Sequence, residues 1–257
     1  MFLRICRSCF MKRILIKKLI GNFALIFSIL AVCVSVAAVS AEKNGVADVW
    51  EEETESKEEV STLPIIVIDP GHGGADCGAV GINGLLEKDV NLRLSRLIQK
   101  EFERVGYKVA MTRTEDILLT DEGVAHTTKK SADLAARVKA AEKGDIFISV
   151  HMNKFPEEKY SGAQIYYSVN NEKSKTLAEM IQKAIVNGLQ PQNNRVIKSG
   201  EGLYLLDRID IPAVIAECGF LSNGAEAELL KDEEYLKSLA FEIFSAIDDF
   251  VVECEWE

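Results

Sequence analysis

Short runs of apolar, β-branched residues alternate along this chain with segments whose apolar residues recur at helical spacing, and that alternation restricts the fold to a few architectures. The first run, Ile65-Ile66-Val67-Ile68, stops at Asp69-Pro70-Gly71 and reads as a buried strand followed by a breaker. Across residues 88–105, Val90, Leu94, Leu97, Ile98, Phe102 and Val105 form one helical face, and Gly106 ends it. Residues 107–111 read as a second strand. Ser131 is expected to cap a helix whose inward face is Leu134, Val138 and Ala141, stopped by Gly144. Strands follow at 146–150 and 163–167, then a helix lined by Leu177, Met180, Ile181, Ala184 and Ile185. Two further strands are expected at 203–206 and 213–216, and a last helix at 235–251. The whole predicts an α/β fold: a mostly parallel twisted sheet of about six strands with helices on both faces. No internal repeat is visible.

The two ends of the chain differ in charge. Residues 1–41 hold six bases and no acid; all 40 acids and 24 of the 30 bases lie after Ala41, leaving about −16 on that part. Such a surface argues against nucleic acid as a partner. The basic head runs into an uncharged apolar stretch, residues 19–41, long enough to cross a bilayer as a helix and ending in Val39-Ser40-Ala41, small residues of the kind a signal peptidase reads. Signal peptide and membrane tether both place the rest of the chain outside the cytoplasm. Residues 42–63, rich in glutamate, read as an acidic linker, and 64–252 as the folded domain. The six cysteines form no disulfide framework: Cys6 and Cys9 stand in the head, Cys33 in the apolar stretch, and Cys77, Cys218 and Cys254 are expected as free thiols.

Chemistry concentrates where strands end, the edge at which open α/β sheets bind ligands. Two of only three histidines fall there: His72 after the first strand and His151 at the end of the third. The third, His126, lies in a polar stretch and reads as a solvated loop residue. A hydrolytic zinc site needs three protein ligands and an open position, so two histidines call for a third partner. Glu87 is placed for it, and is equally well explained as a helix-start glutamate favoured by the dipole. Glu217 ends the last strand, where a carboxylate is costly to bury without a task or a partner; the structural alternative is a salt bridge to Arg113 or Arg137. No P-loop, dinucleotide fingerprint or G-x-S-x-G elbow is present.

The blocks Asp69-Pro70-Gly71-His72-Gly73-Gly74, Leu86-Glu87-Lys88-Asp89-Val90, Ser149-Val150-His151-Met152-Asn153 and Glu217-Cys218-Gly219-Phe220-Leu221-Ser222-Asn223 resemble the zinc-dependent N-acetylmuramoyl-L-alanine amidases, in order and over residues 64–252. The resemblance implies that His72, Glu87 and His151 bind Zn2+, that Glu217 is the catalytic carboxylate, and that the substrate is peptidoglycan. Around Glu87-Lys88-Asp89-Val90 and Ser161-Gly162-Ala163-Gln164 the chain is further similar to the germination-specific amidases of spore formers, which implies action on spore cortex and muramic lactam formation. No separate wall-binding module is expected. The other functions to weigh are a wall-binding or scaffold protein without activity and a zinc carboxypeptidase acting on stem peptides.

Overall fold

The computed structural model of the protein describes residues 63–119, 128–254 and 256. The apolar stretch 19–41, the acidic residues 42–62 and His126 lie outside them. Six strands form one sheet: β1 (Ile66–Pro70), β2 (Val109–Met111), β3 (Ile146–Asn153), β4 (Gln164–Tyr167), β5 (Lys198–Ser199) and β6 (Ala213–Phe220), in the order β2-β1-β3-β6-β4-β5. The helices are α1 (Glu87–Arg104), α2 (Lys129–Ala141), α3 (Lys173–Gly188), α4 (Gly224–Leu229) and α5 (Glu233–Glu253). None of the described helices is long and apolar enough to cross a membrane.

β2, β1, β3 and β6 run parallel, as expected of apolar runs covered on both faces. β4 is antiparallel to β6, and β5 follows the direction of β4, so the sheet is mixed at one edge. One face, carrying Ile66, Ile68, Ile148, Val150 and Ala216, packs on the apolar stripes of α1, α3 and α5. The other, carrying Val67, Phe147, Ala213 and Ile215, packs on Ala141 of α2 and on Leu205, Leu206 and Ile209. Side chains alternate between the faces, so Asp69, His151 and Glu217 belong to this second, more thinly covered face.

Two expectations are corrected. Residues 203–206 form turns; Leu205 and Leu206 are buried because they fold down over the sheet, while the neighbouring strand is the exposed pair Lys198-Ser199. Ser131 is not the cap of α2. Thr128 is, and Ser131 at the third helical position returns a hydrogen bond to its backbone, a reciprocal capping box.

Candidate active site

β1 lies between β2 and β3, so the chain leaves its carboxyl end toward one side and later returns on the other. The crevice at such a switch point is where ligands collect in this class of sheet. His72 stands at its mouth with φ 61°, a left-handed conformation that costs a residue with a Cβ and persists only where neighbours hold it. Arg137 Nη2 donates to the His72 carbonyl at 2.8 Å, and Asp76 Oδ2 lies 2.9 Å from its Nδ1. Gly71 lets β1 pass close to the second histidine: a Cβ there would fall 2.2 Å from the His151 ring.

Glu87 stands where α1 meets the site. It is the first residue of α1, and its carboxylate is buried between the two imidazoles. The backbone amides of Ala79 and Met152 donate to its oxygens at 2.7 and 3.1 Å. His151 Nδ1 and His72 Nε2 lie 3.0 and 3.2 Å from Oε1. Gly78, at φ 64°, makes room for this carboxylate, since a Cβ there would sit 2.6 Å from Oε2.

Ligand atoms of His72, Glu87 and His151 all lie within 4.8 Å of one another, so the group can hold a metal ion. The donor set fits a hydrolytic zinc site, two imidazole nitrogens and one carboxylate oxygen. So does the second layer of contacts: Asp76 engages His72 Nδ1, which leaves Nε2 to face the cation.

Burial pulls the His72 pKa down, but hydrogen bonds and charge from Glu87 and Asp76 outweigh it and carry it up to about 9. Burial likewise opposes ionisation of Glu87, yet the two imidazoles hold its carboxyl well below the usual range. An entering cation must therefore displace a proton from His72. Zinc affinity of the metal-free protein should climb about tenfold per pH unit below about 9 and level off above it. Calorimetric titration at several pH values checks this; an affinity unchanged from neutrality to pH 9 would contradict it.

Glu217 pairs directly with His151 across the β3–β6 ladder. Its Oε2 is buried without a hydrogen-bond partner among the described residues. Burial pushes its pKa up, His151 pulls it down and Glu87 adds to the rise; the net direction is upward. The salt bridge weighed for it is not formed. Arg113 donates to the carbonyls of Pro70, Gly71, Lys88 and Glu115. Arg137 pairs with Asp69 at 2.5 Å and Asp133 at 2.7 Å. Both arginines thus brace the His72 turn from beneath, and Ser149 and Thr112 complete the shell around Asp69.

Asp69 is fully buried, so loss of its cation leaves a charge without compensation. Arg137→Ala should cost roughly 3–5 kcal/mol of stability, read by urea denaturation. A cost below about 1 kcal/mol, the range of an exposed pair, would contradict this account.

Sequence reasoning did not single out Asp76, Asp69 or Asp133. Asp76 offered one signal, its place four residues after His72 in the same glycine-rich turn. Cys218 points to the helix-covered face of β6 and is buried there, its thiol pKa raised by that burial. Cys77 lies in the turn with Sγ 3.2 Å from the Gly78 carbonyl. Both are free thiols, as is Cys254.

Two imidazoles and a carboxylate around room for one cation, with a second buried carboxylate on the next strand, is the arrangement a metal-dependent hydrolase needs. The sequence pattern of the family described as N-acetylmuramoyl-L-alanine amidase matches residues 66–249. A germination-specific N-acetylmuramoyl-L-alanine amidase of Bacillus subtilis (strain 168) is 38% identical over 186 residues, 71% of this chain and 78% of its own length. Among solved structures, the CwlD amidase from Clostridioides difficile in complex with the GerS lipoprotein is similar with TM-score 0.70 and 34% identity, over 74% of this chain and 99% of that one. The N-acetylmuramoyl-L-alanine amidase AmiC2 of Nostoc punctiforme follows with TM-score 0.63 and 28% identity, over 73% and 97%. The chain belongs to the N-acetylmuramoyl-L-alanine amidase family and is a peptidoglycan amidase.

Proposed function

We propose that this enzyme uses zinc held by His72, Glu87 and His151 to hydrolyse the lactyl–L-alanine amide, with Glu217 as its proton carrier, and that its substrate is spore cortex. The observation that carries the chemistry is the convergence of three ligand atoms within 4.8 Å beside the unpartnered oxygen of Glu217. Zinc bound there would supply Lewis acidity to the amide carbonyl and to water, whose pKa falls from ~15.7 toward ~7. Glu217 takes the proton from the attacking water and delivers it to the departing alanine nitrogen. That second transfer is needed because an amide nitrogen leaves poorly without a proton. The upward pKa direction of Glu217 suits a group that must hold and release a proton. Asp76 and the amides of Ala79 and Met152 keep the ligand atoms oriented.

The cortex assignment is supported by the likeness to the germination-specific amidase of Bacillus subtilis. The CwlD structure contains the GerS lipoprotein, and an accessory lipoprotein for this chain belongs to the same reading. Residues 1–41 export the domain, as signal peptide or tether, and 42–63 link it. Removing residues 1–41 should leave a folded, soluble domain; a truncated protein that is insoluble while the full chain folds in detergent would overturn that boundary. The activity is tested by incubating purified cortex and vegetative peptidoglycan with the protein, with and without zinc, and identifying products by mass spectrometry. Intact stem peptides with a free alanine amine are expected, more from cortex. Release of single terminal residues would point to a carboxypeptidase, and no release to a wall-binding protein.

A further inference from the structure

The face that bears Glu217 continues across β4 and β5. Gln164 of β4 pairs with Glu217, and Tyr166 with Ile215, so both side chains share that face. The segment after α3 crosses over them, with the Val196 carbonyl accepting from Gln164 Nε2 at 2.7 Å. Within that segment Arg195 is held in a fixed pose. Its Nε donates to the Ser161 carbonyl at 2.7 Å and its Nη1 to Gln164 Oε1 at 3.4 Å. Its guanidinium carbon lies 4.5 Å from the centre of the Phe220 ring, at the end of the strand that carries Glu217.

No anion is in hydrogen-bond contact with this guanidinium, although its charge reaches Glu226. Among the described residues no carboxylate pairs with Arg195, and its Nη2 has no hydrogen-bond partner. Arg195 favours the charged form of Glu226 through space, while the two oxygens of that carboxylate accept from the amides of Gly162 and Phe220. A second cation, Lys198, lies 6.0 Å from the Tyr166 ring centre and likewise pairs with no described acid. Two such cations on the part of the sheet that continues from Glu217 across β4 and β5 are unexpected in a chain of net charge −10, where acids are in excess.

The substrate supplies the missing charge. In the lactyl–alanine amide the lactyl carboxyl is consumed by the bond itself, and sugar hydroxyls and acetamide are neutral. Any free carboxylate near the bond therefore belongs to the peptide. We propose that Arg195, backed by Lys198, binds a carboxylate of the peptide on the leaving side of the scissile amide, an inference that rests on the amidase reading of this site. A guanidinium with its plane fixed by stacking presents its free N–H groups as a fork matched to a carboxylate. The contact selects an acidic peptide over its carboxamide and orients the alanine nitrogen toward Glu217.

The test uses the zinc-loaded full chain and two muramoyl dipeptides that differ only in a carboxylate or a carboxamide on the residue after alanine. The wild type should prefer the acid. Arg195→Gln should lower kcat/KM on the acid roughly 10- to 100-fold, mainly through KM, leave the carboxamide within about twofold, and so erase the preference. Arg195→Lys should restore part of it. The released alanyl peptides, acid and amide, are titrated by calorimetry as a readout free of turnover, with the same ordering expected. Equal losses on both substrates, as from a residue that only braces the 161–164 loop, would overturn the proposal, as would a preference that survives Arg195→Gln. A wild type that binds the acid peptide over the amide yet cleaves neither muramoyl amide would keep the subsite and overturn the amidase reading instead.

Discussion

Glu217→Gln should lower peptide release by roughly 10²–10⁴-fold while the protein keeps its full complement of zinc. Glutamine preserves the size and hydrogen-bonding shape of the side chain but cannot carry a proton. The ligand atoms gathered within 4.8 Å come from His72, Glu87 and His151 and do not include Glu217. Its place opposite His151 nevertheless puts it next to them. The same substitution removes a carboxylate whose Oε2 has no partner among the described residues, so the variant should be at least as stable as the parent. Zinc content, turnover and thermal midpoint measured on one preparation read all three. Loss of zinc together with activity would make Glu217 a ligand and leave the proton carrier to be found. A marked drop in stability would mean that a hidden partner satisfies it.

How much of this was legible beforehand follows from which forces write themselves into local sequence. Ile66–Ile68, Ile146–Ile148 and Val214–Ala216 are buried on a sheet covered from both sides, and their unbroken apolar character shows it. β5 carries no such signal, because Lys198 and Ser199 are exposed and join the sheet through backbone pairing alone. Leu205 and Leu206 gave the opposite error: they are apolar because they cap the sheet from a turn, which period and propensity cannot separate from strand burial. The reversal of β4 was also silent, since a strand's direction is set by how its connections pack.

At the site, His72, His151 and Glu217 were visible because polar residues at strand ends stand out in an apolar pattern, and Glu87 because it opens the first helix a short loop after His72. Their support was not. Asp69 lies 68 residues from Arg137 and meets it only when β1 and α2 are packed together, so Arg137 could be named as a partner but not matched to that acid; Asp133, four residues before Arg137 on the same helix, offered only the spacing of a local pair. The role of Glu87 stayed divided for a related reason. Its helix-start position is local, and its contact with two imidazoles depends on sheet order.

That division can be settled at the bench. Glu87→Ala should lower zinc affinity by orders of magnitude, and His72→Ala and His151→Ala should each do the same, because two protein ligands hold zinc poorly against water. A glutamate that only favoured the start of α1 would act through the dipole, worth ~0.3–1 kcal/mol, a modest loss of stability with chemistry intact. The surroundings point to the larger effect. Glu87 is 4% exposed, its oxygens accept from Ala79 and Met152, and both imidazoles lie against it. Two backbone amides aimed at one buried carboxylate fix its position far more tightly than a helix start requires. The alanine variant would also release His72 and His151 from the carboxylate that raises the His72 pKa, so its zinc binding should respond less steeply to pH. The measurement is zinc stoichiometry and affinity at two pH values on folded Glu87→Ala protein, beside its peptide release. Retained zinc, normal turnover and an unchanged pH response together would return Glu87 to the helix start and leave a third ligand to be sought.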